Sequence, residues 1–143
     1  MVRTIVEPLY TTTAHVTGGR SGHARTDDGL LDFDLTAPKE TGGPGTGTNP
    51  EQLFAAGYAA CFQSALSNVG RSHRIDTSQS TVDGTVTLGK AEDQGYGLAV
   101  TLRVSIPGID HETTQRLIEQ THTVCPYSRA VEGNVAVTLE AAS

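Results

Sequence analysis

The sequence has no Trp and a single Met, and only 5% of its residues are aromatic. Large rings therefore cannot fill most of the interior, which small and β-branched side chains must build together with some of the 16 Gly residues. This composition is typical of a strand-rich, closely packed protein. At 143 residues the chain has the length of one domain, which we expect to span residues 1–143.

Long apolar runs and clusters of basic residues are also missing. No stretch approaches the roughly 20 apolar residues of a membrane span, and the segment from Met1 to Tyr10 lacks the apolar core of a signal peptide. The net charge is −6, and the Lys and Arg residues are dispersed. Proteins that bind nucleic acid instead carry clustered basic residues and a positive patch. We therefore expect a soluble cytoplasmic protein that binds neither nucleic acid nor a membrane.

Several motifs of enzymes and metal sites are absent as well. The glycine-rich segments 18–22 and 42–47 lack both the Gly-x-Gly-x-x-Gly spacing and the Lys-Ser ending of phosphate-binding loops, and no Gly-x-Ser-x-Gly elbow of a hydrolase occurs. His122 and Cys125 have a spacing seen in zinc sites, but too few further ligands are grouped with them for a tetrahedral centre. We therefore expect no metal site.

Alternating apolar residues predict a β-meander in the first third of the chain. A strand over 10–16 should turn at Gly18-Gly19 and return over 23–26, and a turn at 27–29 should lead to a third strand with Leu31, Phe33 and Leu35 on one face. The Gly-, Thr- and Pro-rich segment 38–50 reads as an exposed loop without regular structure.

A helix should follow this loop. Asn49 is a predicted N-cap, Pro50 suits the first helical position, and Gln52 completes a capping box. The helix should cover about 53–68 and end near Gly70. Because residues 53–62 are apolar or small on almost every face, we expect this helix to be buried on all sides.

The rest of the chain predicts a second hairpin from strands 81–88 and 98–106, a helix capped by Asp110 and stopped by Pro126, and a closing strand over 135–139. In that second helix Leu117, Ile118 and Thr121 should share the buried face. The order of elements gives an α+β fold: β-meander, buried central helix, hairpin, helix and C-terminal strand.

The chain has only two cysteines, Cys61 and Cys125. The count alone fits either two inert buried thiols or a reactive pair, since a permanent bridge is seldom found in a reducing cytoplasm. Cys61, in the central helix, is the candidate nucleophile, because a thiolate attacks a peroxide oxygen without help from a metal. Cys125 precedes Pro126, which disfavours helical backbone, so we expect an exposed, mobile thiol that resolves a sulfenic acid.

Cys61 lies twelve positions after the predicted helix cap, beyond the reach of the helix dipole, so a cation should stabilise its thiolate. Arg20, at the tip of the first hairpin, is the best candidate. The other candidates are Arg25, Arg71, Arg74 and Arg129.

Glu51 in the first turn of the helix is a second candidate site residue, although a carboxylate there also simply favours the helix start. Ten residues, roughly 15 Å of helix, separate it from Cys61. Glu51 and Cys61 can therefore serve one site only if the helix kinks or if two subunits share the site. Whether Arg20 and Glu51 act within one chain or across a dimer is left open by the sequence.

Two segments carry a resemblance to a known family. The run from Asn49 to Phe62, Asn-Pro-Glu-Gln-Leu-Phe-Ala-Ala-Gly-Tyr-Ala-Ala-Cys-Phe, and the run Val-Cys-Pro-Tyr-Ser at 124–128 resemble the organic hydroperoxide resistance proteins of the OsmC superfamily. Gly18-Gly19-Arg20, the segment 36–40 and Gly133-Asn134 fit the same family, so the resemblance covers almost the whole chain.

The resemblance implies a peroxidase that reduces organic (alkyl or lipid) hydroperoxides. It implies a peroxidatic Cys61, a resolving Cys125 that forms a disulfide with it, and Arg20 and Glu51 as the residues that activate the thiolate and orient the peroxide. It also implies an OsmC-like α+β fold in an intertwined homodimer. No bound cofactor is implied, and the reductant should be an external lipoyl dithiol, either dihydrolipoamide or a lipoylated protein partner.

Two alternatives remain at this point. One is the osmotically induced branch of the same superfamily, which differs in its preferred peroxide. The other is a non-enzymatic ligand-binding or redox-sensing module, in which the apolar surroundings of Cys61 rather than its thiol carry the function.

Overall fold

The computed structural model describes residues 2–142, which form two compact units. The first unit ends at Pro50 and the second begins at Glu51, and each is described by itself below. The single domain expected over 1–143 stays a prediction. The helices and strands are β1 Ala14–Thr17, β2 His23–Thr26, β3 Asp32–Asp34, α1 Pro50–Ser72, β4 Thr81–Lys90, β5 Tyr96–Ser105, α2 His111–Val124, α3 Pro126–Val131 and β6 Ala136–Ala141.

The first unit contains the predicted β-meander, a three-stranded antiparallel sheet in the order β1-β2-β3. Gly18 and Gly19 turn the chain with φ values of 74° and 55°, which favour glycine. Strand β1 begins at Ala14, four residues later than predicted. The reason is that β2 ends at Thr26, opposite Ala14, where the turn to β3 starts, so residues 10–13 have no strand to pair with.

The segment between β3 and α1 is more ordered than its composition predicts. Residues Lys39–Thr41 form one turn of 3-10 helix, and Gly42 ends this turn with φ 94° and an N–H bond to the Lys39 carbonyl. Leu35 and Thr48 form an isolated parallel bridge. The expectation of no regular structure over 38–50 is therefore wrong in these two places.

Helix α1 begins at Pro50 as predicted but passes Gly70 and ends at Ser72. Gly70 is buried inside the helix, where a Cβ would stand 2.6 Å from Thr77 Cγ2. The glycine thus allows the following loop to approach the helix closely. The reversal that ends the helix occurs at Arg74, whose φ is 58°.

The second unit has a three-stranded sheet in the order β4-β5-β6. Strands β4 and β5 form the predicted antiparallel hairpin, and β6 pairs parallel to β5, with α2 and α3 in the connection between them. Val100, Leu102 and Val104 alternate along β5 and are buried. They join a core formed with residues of α1 and α2, including the predicted Leu117 and Ile118.

Helix α1 packs closely on β4. A Cβ at Gly84 would lie 2.9 Å from the Ala55 carbonyl oxygen, so this strand position must be a glycine for the two backbones to approach. The face of α1 toward the core carries Tyr58, Phe62 and Leu66, which have no exposed surface.

The opposite face of α1 does not fit the expectation of burial on all sides. Leu53, Ala56 and Ala60 are exposed in the single chain. Apolar composition predicted that these positions would be covered, but no element of the second unit covers them.

Helix α2 starts as predicted, because the Asp110 side chain accepts a hydrogen bond from the Thr113 N–H at 3.1 Å. Over residues 2–142 the structure has no helix that is both long enough and apolar enough to cross a bilayer.

An exposed histidine links two strands of the first unit. His23 on β2 contacts Asp34 Oδ1 through Nδ1 at 2.7 Å and Asp32 Oδ1 through Nε2 at 2.5 Å. The hydrogen bond with Asp34, then that with Asp32, raises the pKa of His23 above its ordinary value. The stabilisation that the charged histidine gives the β2–β3 pair is present below the unfolded-state pKa and is lost as the pH rises through the folded-state pKa.

We predict that Asp34→Asn lowers the pKa of His23, because the substitution removes the largest cause of its shift. The measurement is an NMR titration of the imidazole signals in both proteins. Asp28→Asn is the control, since the Asp28 carboxylate bonds Thr26 and the Leu30 N–H instead. A His23 pKa that is unchanged by Asp34→Asn would contradict the assignment.

Candidate functional site

The two thiols of the chain lie next to each other. Cys61 stands in the middle of α1 and Cys125 between α2 and α3, and both are free cysteines. The Cys125 S–H donates to the Cys61 sulfur at a distance of 3.8 Å. Folding therefore brings together the two sulfur atoms that the sequence nominated as a reactive pair.

The exposure of the two thiols is the reverse of the expectation. Cys125 has 0% exposure, whereas Cys61 is half-buried. The prediction of an exposed Cys125 is wrong, although Pro126 does end α2 as expected. Proline forces an extended backbone at Cys125, with ψ 126°, and in this fold the extended residue directs its thiol toward α1.

Both backbone polar groups of Cys125 are bonded across this break. Its N–H donates to the Thr121 carbonyl at 2.9 Å, and its carbonyl accepts from the Arg129 N–H at 2.9 Å. Cys125 is therefore the last capping residue of α2 and the first of α3. The break turns the chain without leaving a backbone group of Cys125 unsatisfied.

Three features of its surroundings shift the pKa of the Cys61 thiol. Burial is the largest and raises its pKa above the ordinary value, since a thiolate is poorly solvated there. A hydrogen bond from the backbone N–H of Tyr127 acts in the opposite direction, and the neighbouring Cys125 raises the pKa again. Together these surroundings favour the neutral thiol over the thiolate at Cys61.

The Tyr127 N–H is a site feature that the sequence reasoning missed. From the sequence, the candidates for stabilising the thiolate were the dipole of the central helix, which is too far away, and charged side chains. A signal was present, because Pro126 is a residue typical of the first helical position and so predicts a short helix with unpaired N–H groups after it.

A cavity of about 600 Å³ opens beside Cys61. It runs along α1 from Cys61 to Ser72, and Val124 and Pro126 form its other wall. Its apolar part includes Ala65 and Val69, and its polar part is made of uncharged side chains, Ser64, Asn68 and Ser72. The half-exposed thiol is thus reached from a cavity wide enough for an organic molecule.

An aromatic cluster lies near the thiol pair. Phe54, Tyr58 and Phe62 follow one face of α1, and Tyr127 packs against the first two with ring centroids 6.1 and 5.6 Å apart. Gly57 makes room for this contact, since a Cβ there would lie 2.8 Å from the Tyr127 hydroxyl.

A hydrogen-bonded network lies behind the cluster. The Ser128 hydroxyl contacts the Tyr58 hydroxyl at 2.7 Å and His122 Nδ1 at 2.8 Å. His122 therefore bonds a serine in this structure. Over residues 2–142 no group of three or more His, Cys, Asp or Glu side chains is arranged to hold a metal ion.

Known proteins are similar to this chain in both sequence and fold. The family model described as OsmC-like protein matches residues 43–140. The organic hydroperoxide resistance protein OhrB of Bacillus subtilis is 48% identical over 133 residues, which cover 92% of this chain and 97% of that protein. The organic hydroperoxide resistance protein of Xanthomonas axonopodis pv. citri is 47% identical, over 92% of this chain and 93% of that protein.

The chain belongs to the organic hydroperoxide resistance proteins of the OsmC-like family. A solved structure agrees with this assignment. The crystal structure of an organic hydroperoxide resistance protein from Legionella pneumophila superposes with a TM-score of 0.90 at 45% identity, and the match covers 96% of this chain and 100% of that one. The predicted OsmC-like α+β fold is therefore confirmed.

The structure also locates the two charged residues that the family resemblance nominated. Arg20 lies in the 3-10 turn Gly19–Ser21 between β1 and β2, at the predicted hairpin tip. Glu51 lies in the first turn of α1. Helix α1 is continuous over Pro50–Ser72, so ten residues, about 15 Å of helix, separate Glu51 from Cys61 in one chain. The roles of Arg20 and Glu51 stay predictions.

We predict that Cys125→Ser lowers the pKa of Cys61. The substitution removes the charge that a Cys125 thiolate contributes, and the smaller hydroxyl can still donate a hydrogen bond to the Cys61 thiolate. The measurement is the pH dependence of Cys61 alkylation, followed by mass spectrometry of the labelled peptide. The control is Thr123→Ala, which removes an exposed hydroxyl bonded to the Gln120 carbonyl of the same helix. A Cys61 pKa in Cys125→Ser equal to or above that of the unaltered chain would contradict the prediction.

Proposed function

We propose that the chain is a cysteine-based peroxidase that reduces organic hydroperoxides to alcohols. The observation that carries the proposal is the pair of free thiols with sulfur atoms 3.8 Å apart, of which Cys61 lines a cavity of about 600 Å³ and Cys125 is buried. The names of relatives at 47–48% identity support an organic hydroperoxide as the substrate class.

In the first step the Cys61 thiolate attacks the terminal oxygen of the hydroperoxide. A sulfur–oxygen bond forms and the oxygen–oxygen bond breaks, so that Cys61 becomes a sulfenic acid and the substrate leaves as an alcohol after taking up a proton. Burial disfavours the thiolate. We therefore assign Arg20 the stabilisation of the thiolate and of the charge that develops on the leaving oxygen, and Glu51 the orientation of Arg20 and the peroxide.

In the second step Cys125 attacks the sulfenic sulfur of Cys61. The sulfur–sulfur bond forms, and the sulfenic oxygen leaves as water with the proton of Cys125. The sulfur atoms are already within 3.8 Å, so only a small movement is required to reach the disulfide bond length of about 2.05 Å.

The cycle closes when an external dithiol reduces the disulfide through a mixed disulfide. We propose a lipoyl dithiol, dihydrolipoamide or a lipoylated protein, as this reductant, with no bound cofactor. The half-exposed Cys61 is the sulfur that such a dithiol can reach from the cavity.

We further propose that the active form is a homodimer whose sites combine residues of two copies. Leu53, Ala56 and Ala60 leave an exposed apolar face on the N-terminal half of α1, which a second copy would cover. The separation of Glu51 and Cys61 along an unbroken helix supports a contribution of Glu51 from the other copy.

We predict that Cys61→Ser abolishes hydroperoxide consumption, because it removes the sulfur that accepts the oxygen. Cys125→Ser should retain a single turnover but accumulate sulfinic and sulfonic Cys61, because no thiol traps the sulfenic acid. The measurements are consumption of a bulky alkyl hydroperoxide with dihydrolipoamide, and mass spectrometry of the Cys61 peptide.

Parallel assays with glutathione, thioredoxin and hydrogen peroxide test the remaining parts of the proposal. A faster reaction with hydrogen peroxide would favour the osmotically induced branch, and no hydroperoxide consumption by the unaltered chain would favour a binding or sensing module. Equal turnover with dihydrolipoamide, glutathione and thioredoxin as reductants would contradict a specific role of a lipoyl dithiol.

A shared site makes a separate prediction for mixed dimers of Cys61→Ser and Glu51→Ala chains. Each parent should be inactive, whereas each heterodimer should contain one site with both native residues and so recover activity. Hydroperoxide consumption is measured after the two proteins are unfolded and refolded together. If refolded heterodimers of the two inactive parents remain inactive, Glu51 and Cys61 do not act across the interface.

A further inference from the structure

The Ser128 hydroxyl joins three helices of the second unit. Ser128 lies on α3, its partner Tyr58 at 2.7 Å lies on α1, and its partner His122 at 2.8 Å lies on α2. Tyr58 is fully buried and Ser128 is 1% exposed. A hydroxyl with one hydrogen and two lone pairs can satisfy both partners at once.

The sequence spacing relates this network to the two thiols. His122 and Ser128 are each three residues from Cys125, on either side of the break between α2 and α3. Tyr58 is three residues before Cys61 on α1. Each network residue is therefore about one helical turn from a cysteine, so the hydrogen bonds connect the three backbone segments that determine the separation of the sulfur atoms.

The network also adds a side-chain hydrogen bond between α1 and α3, besides the contacts that Cys61 itself makes with the Tyr127 N–H and the Cys125 thiol. The backbone bonds of Cys125 run to Thr121 and Arg129, which belong to α2 and α3. Those bonds fix the angle between α2 and α3. They do not reach α1, whereas the bond between Tyr58 and Ser128 ties α3 directly to α1 at a buried position.

We propose that Tyr58, Ser128 and His122 are positioning residues for disulfide closure, an inference that rests on the proposed peroxidase function. They hold Cys125 within 3.8 Å of Cys61, so that the sulfenic acid meets a thiol before it meets a second hydroperoxide. Attack on sulfur requires close approach in a defined direction, and small displacements reduce such rates steeply. The network thereby decides between reversible disulfide formation and irreversible over-oxidation of Cys61.

The test compares Tyr58→Phe, Ser128→Ala and His122→Leu with the unaltered chain. Tyr58→Phe keeps the ring in the aromatic cluster and removes only the hydroxyl. We expect disulfide closure after one equivalent of alkyl hydroperoxide to slow about tenfold in each variant, with more sulfinic Cys61 at a given peroxide concentration. The rate of the first oxidation should change much less, because the Cys125 sulfur forms no bond in that step and affects the Cys61 pKa less than burial does.

Two further variants distinguish a positioning role of the network from a general loss of stability. His122→Asn places an amide nitrogen near the position of Nδ1 and should restore rapid closure relative to His122→Leu. Thr121→Val removes a buried hydroxyl that bonds only the Leu117 carbonyl of its own helix, and it should close as fast as the unaltered chain. Closure slowed equally in Thr121→Val, or unchanged in both Tyr58→Phe and His122→Leu, would overturn the proposal.

A measurement without peroxide keeps this inference distinct from the proposed function. The equilibrium between the two thiols and oxidised glutathione reports how well the thiols are placed for disulfide formation. We expect the equilibrium constant for the internal disulfide to fall about tenfold in the three network variants and to be unchanged in Thr121→Val. If that fall occurs while the unaltered chain consumes no hydroperoxide, the peroxidase proposal fails and the positioning role stands. If peroxide is consumed and the constant does not change, the positioning role fails alone.

Discussion

Cys125 occupies the break between two helices, and the geometry around both thiols depends on how that break is made. Pro126 cannot continue α2, so Cys125 adopts extended backbone and its side chain turns toward α1. The hydrogen bonds to Thr121 and Arg129 keep the break free of unsatisfied backbone groups. The N–H of Tyr127 that reaches Cys61 and the Ser128 hydroxyl that reaches α1 both follow within three residues.

The packing that brings the two thiols together also opposes the reactivity of Cys61. The sulfur atoms lie 3.8 Å apart, but the partial burial of Cys61 favours its neutral thiol over the nucleophilic thiolate. The single peptide N–H of Tyr127 offsets only part of this effect, since the pKa of Cys61 remains raised. A catalytic thiolate in this position therefore requires additional positive charge, which is the physical reason for assigning a role to an arginine.

Features set by local chemistry were predictable from the sequence, and features set by packing were not. The Gly18-Gly19 turn, the start of α1 at Pro50 and the Asp110 cap follow from backbone preferences of a few neighbouring residues. The end of α1 was misplaced because Gly70 serves the close approach of Thr77 and not a helix stop. The prediction of an exposed Cys125 was wrong. A proline predicts that the chain turns, but it does not predict on which side of the turn another helix lies.

Helix α1 limits which site residues one copy of the chain can bring together. Its core face contributes Tyr58 and Phe62, and Cys61 between them faces the cavity, whereas Glu51 lies ten residues before Cys61 on the same continuous helix. A continuous α-helix places residues ten positions apart about 15 Å from each other along its axis. If the carboxylate of Glu51 takes part in the chemistry of Cys61, it must come from another copy. The exposed Leu53, Ala56 and Ala60 mark the face of α1 on which a second copy would bury apolar surface.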